Sequence, residues 1–124
     1  MGRRADLSVA YQTIQQYERG LLEKLVSGLM KIPGLKLYGI SDPQRFDQRC
    51  PTVAIRIQGH SPLELATRLG EQGFFTWDGN YYAINLSERL NVEKDGGFLR
   101  IGLVHYNTEA EVDSFLAALG PIAR

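Results

Sequence analysis

The chain has 124 residues, 44% of them hydrophobic, enough for one domain with a real core. Its 14 basic and 14 acidic residues cancel, which excludes a strong electrostatic footprint for nucleic acid or an anionic membrane. No apolar run approaches the roughly 20 residues of a membrane span, and no apolar leader follows the polar N-terminus.

Arg3-Arg4 reads as a solvated approach to a helix. Asp6 or Ser8 is expected to cap that first helix, which runs to about Lys31. Tyr11, Ile14, Tyr17 or Glu18, Leu21, Leu25 and Leu29 recur at helical spacing. Gly20 and Gly28 each weaken it by about 1 kcal/mol relative to alanine. Ile32-Pro33-Gly34 stops the helix, and Leu35 to Gly39 reads as a short strand. Asp42 to Arg49 is expected to be a polar loop. From Pro51 to Gln58 the chain alternates, with Val53, Ile55 and Ile57 on one face and Thr52, Ala54, Arg56 and Gln58 on the other.

Ser61-Pro62-Leu63-Glu64 has the pattern of a capping box with proline at the first helical position. That helix carries Leu63, Leu65, Ala66 and Leu69 and ends at Gly70 or Gly73. Phe74 to Trp77 is expected to be a short strand, Asp78-Gly79-Asn80 a loop, and Tyr81 to Leu90 a short helix. Asn91 to Gly97 is turn-rich. Phe98 to Val104 reads as the last strand. Thr108 and Glu111 form a second capping box opening the last helix, which Gly120-Pro121 ends. The tight, turn-rich connections predict an α+β fold: a mainly antiparallel three- to four-stranded sheet with helices packed on one face.

Arg100 is the foremost candidate site residue. Alternation turns it away from Leu99, Ile101 and Leu103. A guanidinium there can grip a small carboxylate at two points; an exposed arginine on an open sheet face is the plain alternative. Arg56 shares the polar phase of its strand, where structural salt bridging is expected. The single cysteine, Cys50, excludes an internal disulfide or a thiolate metal cluster, is expected to be a small buried hydrophobe, and fits a reduced cytoplasm. His60 and His105 lack a second ligand at metal spacing, so no metal is predicted. The glycines match no nucleotide-binding fingerprint.

Leu99-Arg100-Ile101-Gly102-Leu103 and Tyr106-Asn107-Thr108, followed by Glu111-Val112-Asp113, resemble the C-terminal small domain of the class V aminotransferases, a pyridoxal-phosphate family of fold type I that includes the cysteine desulfurases. The resemblance continues upstream through Gly73 to Tyr82, Ile32 to Gly39, and Tyr17-Glu18-Arg19, so it covers nearly the whole chain. It implies that residues 1–124 are a single domain, and that the large domain with the phosphate cradle and the Schiff-base lysine lies outside it. Lys24, Lys31, Lys36 and Lys94 stand in no setting suited to that lysine.

In the complete enzyme the resemblance assigns Arg100 to the carboxylate of an amino-acid substrate, with the large domain as partner, present in the same protein or in trans, and a homodimer possible. The Trp77–Tyr82 loop then either shapes the substrate pocket, with Trp77 as wall and Asn80 and Tyr81 as hydrogen-bonding groups, or forms a packed aromatic corner. Tyr82 stands where the desulfurases carry their persulfide-forming cysteine, which argues against standard desulfuration. No catalytic or cofactor-binding residue is expected in this chain, and pyridoxal phosphate is implied only for the complete enzyme. The rival expectation is a stand-alone interaction module that binds a partner through the open sheet face.

Overall fold

The computed structural model describes residues 2–124. Helix α1 (Arg3–Leu29) leads into strand β1 (Leu35–Tyr38), and a short 3-10 helix (Pro43–Gln48) precedes β2 (Thr52–Ile57). Helix α2 (Pro62–Gly70), β3 (Trp77–Gly79), α3 (Ile84–Arg89), β4 (Phe98–Gly102) and α4 (Glu109–Ile122) follow. The sheet is antiparallel throughout, in the order β1-β2-β4-β3. This is the α+β architecture the sequence predicts.

Alternation in β2 builds the core directly. Val53, Ile55 and Ile57 turn inward and meet Leu99 and Ile101 of β4. Against them lie Leu21, Leu22, Leu25, Val26 and Leu29 of α1, Leu65 and Leu69 of α2, and Val112, Phe115, Leu119 and Ile122 of α4. The three long helices therefore cover one sheet face. The opposite face is open at β3 but covered in part by the excursion from Asn80 to Gly97. Phe98, on that outer face, is only 4% exposed and packs edge-on against Tyr38 at 4.9 Å.

Several local expectations change. Helix α1 begins at Arg3 with Gly2 as an N-cap that offers no side chain; Asp6 and Ser8 lie inside the helix, and the Ser8 hydroxyl donates to the Arg4 carbonyl. Burial starts only at Leu21, and Tyr11 and Tyr17 are exposed. The first half of α1 extends past the sheet, so its spacing has nothing to pack against. Asp42 to Arg49 is not a plain loop. Asp42 accepts a hydrogen bond from the Gln44 amide, and the 3-10 turn so started buries Phe46. Cys50 is exposed, not buried. Counting back from the inward Val53 in steps of two puts residue 51, not 50, on the core side.

At α2, Ser61 caps the Glu64 amide at 3.1 Å. The Glu64 carboxylate turns instead to His60 and Arg68, so the box is half formed. At α4 the box is complete. Thr108 accepts from the Glu111 amide, and Glu111 accepts from the Thr108 amide at 2.7 Å. That amide, with help from the Asn107 and Thr108 side chains, holds the Glu111 carboxyl below its usual range. Helix α4 runs through Gly120 and Pro121 to Ile122; in this last turn the proline forfeits a single amide hydrogen bond while its fixed φ stays helical.

The strand expected at Phe74–Trp77 forms three residues later, at Trp77–Gly79, where the backbone reaches β4. Asp78 and Gly79 are therefore strand, not loop. The helix expected from Tyr81 starts at Ile84, because Tyr81 and Tyr82 have φ of 54° and 64°, outside helical space. The last strand stops at Gly102, where the Asn107 side chain takes the Val104 amide in place of a neighbouring strand. Among the described residues no helix is long and apolar enough to cross a membrane.

Candidate functional site: an aromatic bowl around Arg100

Strand β4 positions Arg100. Its Cα partners are Ala54 on β2 and Trp77 on β3, and its neighbours Leu99 and Ile101 are locked in the core. The side chain must therefore leave on the outer face. No ion pair to Arg100 is found among the described residues. Its guanidinium carbon lies 5.5 Å from the centre of the Tyr81 ring, a cation–π contact that steadies the charge without neutralising it. A cavity of about 510 Å³ opens here, walled by Phe75, Thr76, Trp77, Tyr81, Tyr82 and Arg100. Phe75 is 91% exposed, Trp77 72% and Tyr82 fully.

The loop that supplies these rings is held from behind. Asn80 accepts from the Tyr82 amide at 3.0 Å, an Asx turn that supports two consecutive left-handed tyrosines. The Asn80 amide nitrogen donates to Glu93 at 3.0 Å, and the fully buried Ser87 hydroxyl donates to the other Glu93 oxygen. Arg56 donates to the carbonyls of Asp95 and Gly97, so its partners are backbone groups and not the salt bridge expected. Gly97 in turn packs against Gly79, leaving no room for a side chain. The chain from Arg56 through Gly97 to Gly79, together with Asn80–Glu93–Ser87, sets the height and tilt of the loop.

The Tyr81 hydroxyl shares its one proton between the carbonyls of Trp77 and Phe98, the latter at 2.8 Å, across the β3–β4 pair. Burial, aided by the Asp78 charge, pushes the phenol up from 10.0 to about 12, against a smaller downward pull from Arg100. Because the folded state holds this proton more tightly than the unfolded chain, Tyr81 contributes stability that is present below about pH 10. That contribution is lost as pH rises from about 10 to about 12. Tyr81→Phe should cost about 1 kcal/mol at neutral pH for the lost hydrogen bonds. It should also flatten the alkaline fall in stability over that window, as read by urea melts at stepped pH. An unchanged alkaline limb would show that Tyr81 is not the group responsible.

Of the residues singled out from sequence, Arg100, Trp77 and Tyr81 come together. Asn80 does not line the cavity; both ends of its amide are engaged within the loop. Phe75 was not singled out. Phe74 turns inward to meet Phe115 at 5.7 Å, and the adjacent Phe75 turns outward into solvent. His60 lies 3.3 Å from Glu64 and His105 3.8 Å from Glu18, on separate parts of the surface. The described residues contain no group of three metal-ligating side chains.

Two of the motifs that carried the family resemblance, Tyr17-Glu18-Arg19 and the turn at Tyr106-Asn107-Thr108, meet in the fold. Tyr17 donates to the Asn107 carbonyl at 2.7 Å, Glu18 lies against His105, and Arg19 reaches the Pro43 carbonyl at 3.1 Å. Tyr17-Glu18-Arg19 thus ties α1 to the turn that leads out of β4.

A family model described as aminotransferase class-V matches residues 6–115. A probable cysteine desulfurase from Mycolicibacterium paratuberculosis is 31% identical over 112 residues, which are 90% of this chain and 15% of that relative. A cysteine desulfurase from Cronobacter sakazakii is 30% identical over 117 residues, 94% of this chain and 27% of the relative. The solved apo structure of a cysteine desulfurase from Thermococcus onnurineus superposes with a TM-score of 0.82 at 20% identity, over 97% of this chain and 28% of that one, a likeness of fold. The chain therefore spans little more than a quarter, at most, of the length of these relatives. With the match running through α1, the sheet and into α4, the chain belongs to the class V aminotransferase family.

Proposed function

We propose that this chain is the small C-terminal domain of a cytoplasmic class V aminotransferase-like enzyme, and that it supplies the substrate-carboxylate side of the active site without being catalytic alone. The observation that carries this reading is Arg100: an exposed guanidinium on a core-anchored strand, without an ion pair among the described residues and facing an open cavity. An amino-acid carboxylate is the group that matches such a fork.

Membership of the family implies pyridoxal phosphate in a complete enzyme. The residues of this chain do not fit it. Lys24 lies 2.9 Å from Asp113 and 3.4 Å from Glu109, and the Asp113 contact above all raises its pKa. That is the opposite of what a Schiff-base amine needs. Lys31, Lys36 and Lys94 are exposed. The lysine and the phosphate cradle belong to the large domain, and the chemistry is theirs. The task of the present residues is orientation, which contributes to rate by removing freedom from the bound substrate.

The test joins the chain to a cofactor-binding large domain and follows amino-acid turnover. Arg100→Lys keeps the charge but loses the planar fork. It should raise KM by one to two powers of ten, about 1.5–3 kcal/mol. An unchanged KM would reject the anchor role. The rival reading, a stand-alone module, draws on the exposed rings of Phe75, Trp77 and Tyr82. It predicts that the isolated chain captures a protein partner through them, with no effect of Arg100→Lys on any amino-acid reaction.

A further inference from the structure

We infer that the bowl selects carboxylates attached to an aromatic or similarly flat apolar body, so that the substrate class is an aromatic or large apolar amino acid and not a small one such as cysteine. The inference rests on the proposed role of Arg100 and names what stands beside the carboxylate.

The argument is one of composition and exposure. Four of the cavity's walls are aromatic: Phe75, Trp77, Tyr81 and Tyr82. Tyr81 is committed, since its hydroxyl is used by backbone carbonyls and its ring lies under Arg100. The other three are not buried in the fold. They are 91%, 72% and 100% exposed, and all border the same space as the guanidinium. Large rings held at such exposure are costly to leave in water and mark a surface built to be covered, by the large domain at its rim and by the ligand where the rings border Arg100. Arg100, the charged residue among those lining the bowl and without an ion pair among the described residues, fixes the sign of what binds there: an anion with an apolar body. A small carboxylate would satisfy Arg100 and leave the rings wet. A ring stacked on Trp77 or Tyr82 satisfies both at once.

The loop is also prepared for this. Two consecutive left-handed tyrosines, at φ 54° and 64°, are a strained backbone that needs support. The Asn80–Glu93–Ser87 network and the Gly79–Gly97 contact hold that conformation, in which Tyr82 projects fully into solvent beside Arg100. A loop serving only to close the β3–β4 edge has no use for that projection. At about 510 Å³ the bowl has room for a phenyl or indole body with its carboxylate.

The chain carries its own reporter, because Trp77 is its only tryptophan and lines the bowl. The experiment titrates the full chain with phenylacetate, acetate and the neutral isostere phenylacetamide, following Trp77 emission. Phenylacetate is expected to saturate and to bind at least about tenfold more tightly than acetate, whose own binding should be barely detectable with only one wall of the site present. Phenylacetamide should bind at least about tenfold more weakly than phenylacetate, and Arg100→Gln should produce the same loss. Phe75→Ala should weaken phenylacetate several-fold. Both variants replace exposed side chains, and circular dichroism checks that they fold.

Equal affinity for acetate and phenylacetate, both lost in Arg100→Gln, would overturn the aromatic selectivity while leaving the carboxylate anchor intact. Phenylacetate binding that survives Arg100→Gln would overturn the anchor and the inference together. A Trp77 signal that follows protein concentration and ignores every carboxylate would show that a second copy of the chain covers the bowl, and would overturn the inference.

Discussion

Gly97→Ala should be the most damaging small substitution in the chain, with a loss of about 2–5 kcal/mol in urea unfolding. Two independent costs add. Gly97 has φ +73°, where a Cβ costs about 1–2 kcal/mol. The added Cβ would also stand 2.5 Å from the Gly79 carbonyl carbon and 3.0 Å from the Asn80 nitrogen. Both atoms are backbone, so no rotamer change relieves the overlap, and β3 must part from the end of β4 at overpacking cost. Gly96→Ala is the control. Gly96 has φ +85°, but its nearest neighbour is a Pro62 side-chain atom at 3.7 Å, so it should show only the backbone cost of about 1–2 kcal/mol. Because Trp77 sits on the displaced strand, its emission should also shift in the Gly97 variant and stay put in the Gly96 variant. Equal losses in both would mean that the Gly79–Gly97 contact carries no weight, and the account of how the loop is held would fall.

Leu99→Ala should cost about 3–4 kcal/mol, while Arg100→Lys, one residue on, should cost less than about 0.5 kcal/mol in the isolated chain. Leu99 is fully buried, pairs with Ile55 on β2 and Asp78 on β3, and belongs to the core shared with α1, α2 and α4. Truncation leaves a cavity that the surrounding strands cannot collapse to fill. Arg100 leaves the same strand on the opposite face and makes no ion pair among the described residues. Chemical denaturation of the two variants side by side reads the contrast. A loss of more than 1 kcal/mol for Arg100→Lys would make the residue part of the scaffold and remove the basis for treating it as a ligand-binding group.

The contrast at Leu99 and Arg100 is also the clearest case of what was legible in advance. Alternation needs only the two-residue repeat of a strand, so the inward and outward faces of β2 and β4 followed from residue order alone. The caps at Thr108 and Ser61 were legible for the same reason: each joins groups three residues apart. Asp6 and Ser8 mark where that reasoning fails. Both are good cap residues, yet the helix starts before them, since nothing local forbids one more turn.

The Tyr81-Tyr82 conformation was not legible. Two left-handed tyrosines contradict local preference and persist only because Asn80, Glu93 and Ser87 meet around them, over 13 residues of separation at the widest. Cys50 was misjudged because residue type suggested burial, while its phase in the approach to β2 decided otherwise. Arg56 was placed on the correct face, but its partners, the carbonyls of Asp95 and Gly97, lie 39 and 41 residues away.

By itself, then, the sequence determined the three long helices, strands β1, β2 and β4 with their inward stripes, the outward aim of Arg100 and the family resemblance, because each rests on spacings of two to four residues or on contiguous motifs. The tertiary structure decided which strands are neighbours, where β3 forms, and that Phe75, Trp77 and Tyr82 gather around the Arg100 guanidinium. Those outcomes depend on contacts between distant segments, whose favourable energy appears only after the chain has closed the loops between them.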